Sequence, residues 1–126
     1  MRRENIYLST IADDASKVAR KYGLGIEIAE YLTAWNMDDE FTATDASVQV
    51  KLDGIERKVL HAPFNELFPC AIDKKARALA AERYRQAIEQ AKRYVQPRSL
   101  SMVGTIPGST ILCGMSSNPS FSGKNS

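Results

Sequence analysis

The chain carries one histidine, His61, in the run HAPFNEL at 61–67, with Asn65 and Glu66 close behind it. A neutral imidazole can bind a divalent metal, or hydrogen-bond a hydroxyl or a phosphate. A half-buried histidine with a backbone partner would serve structure alone, and position does not separate the two. Glu27 and Glu30 flank Ile28 in an otherwise apolar run. Carboxylates in such a place are costly unless paired or exposed at the mouth of a site. Glu30 is the candidate for contact with a ligand, and Glu27 for a polar position inside or on the rim. Trp35, with Asn36 and Met37, follows in the next loop, where an indole either walls a sugar pocket by stacking or anchors the loop.

These residues need elements to position them, and the pattern supplies strands and helices in alternation. Residues 6–11 (IYLSTI) form an apolar, β-branched run; Asp13 and Asp14 offer a cap, and Ala15, Val18, Ala19 and Tyr22 have helical spacing. Gly23 stands where that helix should stop. A second strand is expected over 24–31 (LGIEIAEY). Thr44 and Asp45 then read as caps for a helix carrying Val48, Leu52 and Ile55 on one face. A third strand is expected over 59–64 (VLHAPF), ended by Pro63. Asp73 opens the clearest helix, with Ala76, Leu79, Ala80, Tyr84, Ala87, Ile88 and Ala91 on one stripe. The order βαβαβα implies a parallel sheet with its active face at the carboxyl ends of the strands, which places His61 and Glu30 at that face. A doubly wound sheet and a barrel begin alike, so periodicity leaves both open.

Composition sets limits. The net charge of +2, with acids and bases interspersed, makes no case for nucleic-acid binding. No apolar run approaches the roughly 18 residues of a membrane span, and the start lacks the apolar segment of a secretory signal, so a cytoplasmic location is expected. Cys70 and Cys113 have no CxxC spacing, and no GxGxxG or P-loop motif is present. Oligomeric state is not legible.

IYLSTIADDASKVARKYGLGIEIAEY, TAWNMDD, LHAPFNEL and ALAAERYRQAIEQAKRY together resemble the opening of sugar phosphate isomerase/epimerase proteins with a xylose-isomerase-like TIM barrel, over residues 4–94. The resemblance implies α/β architecture in which this part is the incomplete βαβαβα beginning of a (β/α)8 barrel. It implies a sugar or sugar phosphate as the small-molecule partner, and proton transfer beside a carbonyl as the reaction. The full-length family uses a divalent metal (Mn²⁺, Mg²⁺ or Zn²⁺) held mainly from later strands, so residues 4–94 alone are not expected to bind it. In endonuclease IV-like members, which act on abasic DNA, the histidine at the end of the third strand is a zinc ligand. By resemblance His61 is therefore a metal or substrate contact, with Glu30, Trp35, Asn65 and Glu66 as substrate-binding candidates. A third possibility is a non-functional fragment.

All 15 acidic residues precede residue 95, whereas residues 95–126 carry only Arg98 and Lys124 as charges, and 15 of these 32 residues are Ser, Gly or Pro. Such a tail should not form a packed layer and is expected to be unstructured. The genetic code offers a reason for the break. If one base is missing just before Val95, synonymous codons allow VQPRSLSMVG (95–104) to be read back as GATKVVIHGG, a strand ending in a histidine. The same frame carries 108–125 into VYYPVWYVEQSIFFWKEF, an aromatic loop leading into a helix. Residues 95–126 are accordingly expected to be a low-complexity, frameshifted tail, the alternative being a natural Ser/Gly-rich linker.

Overall fold

The computed structural model describes residues 2–95 and the backbone of Gly104–Ile106 and Ser109–Ile111. Strand β1 (Tyr7–Ser9) leads into α1 (Ala15–Tyr22), β2 (Gly25–Ile28), a short α2 (Ala34–Met37), α3 (Phe41–Leu52), β3 (Lys58–Leu60) and α4 (Lys74–Tyr94). The three strands form one parallel sheet in the order β1-β2-β3, with Leu8 opposite Ile26 and Ile28 opposite Leu60.

The period of two in the strands separates the sheet's faces. Ile26, Ile28 and Leu60 point one way and are buried in a single core with Ala15 and Ala19 of α1, Val48 and Leu52 of α3, and Ala87 and Ala91 of α4. The three long helices therefore share one face of the sheet. Alanines dominate the helix side of this core, and their small side chains let the helix axes lie close to the strands. Glu27, Val59 and His61 fall on the opposite face, as do Tyr7 and Ser9, and among the described residues no helix covers it.

Local chemistry explains most element ends. Gly23 closes α1 in the left-handed conformation (φ 65°), its N–H donating to the Ala19 carbonyl. Asp73 caps α4 by accepting from the Lys75 backbone N–H at 2.8 Å. Asp14 stands before α1 but makes no side-chain capping hydrogen bond.

Three expectations need correction. The second strand ends at Ile28 rather than Tyr31, because the chain turns through a 3-10 segment at Glu30–Leu32. Trp35, Asn36 and Met37 lie in the short helix α2, not in open loop. Helix α3 starts at Phe41, so Thr44 and Asp45 lie within it instead of capping it. Phe41 packs on Tyr31 with ring centroids 6.5 Å apart, and the Asp45 carboxylate is engaged elsewhere.

The expectation of an unstructured tail is also modified. Strands β4 (Gly104–Ile106) and β5 (Ser109–Ile111) pair antiparallel as a separate two-stranded sheet. Each contains Thr-Ile, and the turn-favouring dipeptide Pro107-Gly108 lies between them in sequence. The frameshift expectation otherwise concerns residues outside the described ones, as does Cys113; Cys70 is a free, exposed thiol.

Candidate functional site

His61 follows β3 directly, its N–H donating to the Ile28 carbonyl at 2.9 Å. This bond continues the β2–β3 ladder by one residue and fixes the side chain on the face the helices leave open. There Nδ1 lies 2.7 Å from Glu27 Oε1, with both side chains about one-third exposed. The Phe64 ring stacks beside the imidazole at 5.4 Å and 25°. With the carboxylate beside Nδ1, Nε2 is the ring nitrogen left available to an incoming group. A carboxylate beside the far nitrogen helps to orient the ring. The pair thus has the parts of a proton acceptor.

Glu30 belongs to a different cluster. Thr10 Oγ1 donates to its Oε2 at 2.6 Å and Lys51 Nζ to its Oε1 at 2.8 Å, while the Thr10 hydroxyl accepts from the Ala29 N–H. Burial pushes the Glu30 carboxyl up, but the hydrogen bonds from Lys51 and Thr10 outweigh it and hold the group below its usual range. The Lys51 contact draws Glu30 toward α3 on the helix face, whereas Glu27 faces the other way with His61. Asn36 donates to the Glu30 carbonyl at 2.7 Å and so fastens the turn after β2. Trp35 is 59% exposed. Asn65 and Glu66 are exposed in a turn closed by Leu67 N–H on the Phe64 carbonyl, where Glu66 takes a positive φ of 61°.

Sequence reasoning missed the most connected acid. Asp45 is buried and accepts both guanidinium nitrogens of Arg93 at 2.8 Å, the Tyr31 hydroxyl at 2.8 Å, Gln49 at 2.9 Å and the Tyr94 hydroxyl. The Arg93 guanidinium holds the carboxyl well below the aspartate range despite burial, aided by the other donors. Burial, reinforced by this carboxylate, pushes the Tyr31 and Tyr94 hydroxyls upward, so both remain donors. A signal was present: positions 45, 48 and 52 fall on one helical stripe, which marks Asp45 as inward-facing once the helix begins before it. The network ties the turn after β2 to α3 and the end of α4. It has no contact with His61 and belongs to the scaffold.

His61 Nε2 offers one donor and Glu27 is engaged with Nδ1, while among the described residues no three His, Cys, Asp or Glu side chains converge to hold an ion. The described set does not make a divalent-metal site. No helix among the described residues is long and apolar enough to cross a membrane. No family model, curated protein or solved structure matches this chain.

Proposed function

We propose that residues 4–94 are the first three βα units of a xylose-isomerase-like (β/α)8 barrel, and that the whole protein isomerises or epimerises a sugar or sugar phosphate. The observation that carries this reading is the His61–Glu27 pair at the carboxyl end of β3, on the sheet face turned away from all three long helices. A barrel places its site residues at that end of its strands. The sequential order β1-β2-β3, with every long helix on one face, fits continued winding in one direction. A doubly wound sheet needs helices on both faces.

In this reading His61 Nε2 accepts a proton from a sugar hydroxyl, and Glu27 steadies the imidazolium that forms. Phe64 limits the tilt of the ring. The remaining acid/base groups and any metal ligands would come from later strands, so the 126-residue chain alone should not turn over substrate. Position matters as much as identity here, since a misplaced catalytic group loses most of its effect.

The test compares the purified chain with a protein in which one base is added before codon 95 to open the shifted frame. Both are assayed on ketoses, sugar phosphates and abasic DNA, with and without Mn²⁺, Mg²⁺ or Zn²⁺. Isomerase or epimerase activity only in the restored protein, reduced at least about 100-fold by His61→Ala with folding retained, is the expected result. Turnover by the chain alone, or by the restored protein on abasic DNA only, would overturn it.

A further inference from the structure

The end of the β3–α4 connection and the first turns of α4, residues 68–79 (FPCAIDKKARAL), turn apolar side chains to solvent. Ile72 is 97% exposed, Phe68 48% and Leu79 46%. A single exposed apolar residue is ordinary, whereas several in one segment mark a surface that another body covers.

The exposure is built into the backbone. Ala71 N–H donates to the Phe68 carbonyl at 3.1 Å, which closes a turn around Cys70. Arg77 Nη1 donates to the Ala71 carbonyl at 2.7 Å and to the Ile72 carbonyl at 3.1 Å, and the Asp73 carboxylate accepts from the Lys75 N–H. At a helix start the residue before the cap often packs on the fourth helical residue. Here that fourth residue is Arg77, whose guanidinium is engaged with the two carbonyls, so Ile72 finds no apolar staple there and is held in water.

Charge names the partner. Lys74, Lys75 and Arg77 are exposed beside these side chains, and the one carboxylate of the segment, Asp73, is engaged in the helix cap. Apolar groups with bases beside them complement the boundary of an anionic bilayer, where the bases meet the headgroups and the apolar groups reach the acyl region. A nucleic-acid backbone would satisfy the bases and leave Ile72 in water. We propose that residues 68–79 are a peripheral docking surface for anionic membrane, with Phe68 and Ile72 entering the interface and Lys74 and Lys75 on the headgroups. This surface is separate from the His61–Glu27 pair, and the proposal does not depend on the reaction assigned to that pair.

The experiment mixes the full 126-residue chain, reduced and at low salt, with vesicles of phosphatidylcholine alone or of phosphatidylcholine with phosphatidylserine, and measures bound protein by co-sedimentation. Saturable binding to the phosphatidylserine vesicles, weakened by added salt, is expected. Ile72→Ser should weaken it at least about tenfold. Lys74→Gln combined with Lys75→Gln should weaken it about thirtyfold, with the helical circular dichroism of the parent retained in both variants. In a Cys113→Ser chain, alkylation of the exposed Cys70 thiol by a water-soluble maleimide should slow when these vesicles are present. No binding, equal binding to phosphatidylcholine alone, or unchanged Cys70 alkylation would overturn the proposal. Binding that Ile72→Ser leaves intact would also overturn it, and would assign attachment to another part of the chain, such as the uncharged stretch at 99–123.

Discussion

Replacing Asp45 by alanine should be among the most damaging single changes in the described fold. The carboxylate serves five donors from four side chains, and the consequence differs for each. Tyr31 is 0% exposed, so its hydroxyl would be left buried without this acceptor, at about 1–3 kcal/mol. Arg93 is 42% exposed and can turn to water, which discounts the loss of its bidentate pair. Together these give about 3 kcal/mol for Asp45→Ala, at the lower end of what breaking a buried pair costs. A domain has only about 5–15 kcal/mol in all.

Tyr31→Phe removes the worst orphan. In that background Asp45→Ala should cost about 1–2 kcal/mol less, a coupling that a double-mutant cycle reads directly. Urea unfolding followed by circular dichroism at pH 7 supplies the four free energies. A loss under about 0.5 kcal/mol for Asp45→Ala, or strict additivity with Tyr31→Phe, would refute the assignment of the network to the scaffold.

Asp45 also sets a pH dependence. Its folded-state value is depressed, so its contribution is complete above the unfolded aspartate value of about 3.9 and is lost as pH falls below it. The parent should lose more stability than Asp45→Asn between about pH 5 and pH 2, measured as urea midpoints across that range. For Gly25, an added Cβ would collide with the Tyr7 ring across the β1–β2 pair. Gly25→Ala should cost about 1 kcal/mol, since Tyr7 is at the surface and can swing away, and Tyr7→Ala should relieve most of that cost in the same unfolding assay. Lys51→Met leaves Glu30 part-buried with Thr10 as its remaining side-chain donor. It should destabilise by about 1–2 kcal/mol at pH 7 and by less below about pH 4, where Glu30 is protonated in the unfolded chain.

Local pattern determined the alternation of strands and helices, because each rests on nearby residues: apolar alternation in the strands, an alanine stripe in α4, Gly23 at a position needing positive φ, and Asp73 at a helix start. It also placed His61 at the carboxyl end of β3. Only the tertiary structure decided which acid meets it. Glu27 and Glu30 are three residues apart, a spacing that the strand's period of two already puts on opposite faces, but no local pattern says which partner waits on either face. Glu30 is then taken by Lys51, distant in the chain, while Glu27 keeps the face it shares with His61. Asp45 was misread for the same reason: its partners Tyr31, Arg93 and Tyr94 come from other elements, and a contact between distant segments leaves no local period to read. Cap and period are properties of neighbours along the chain, whereas pairing of charges is set by how the helices lie on the sheet.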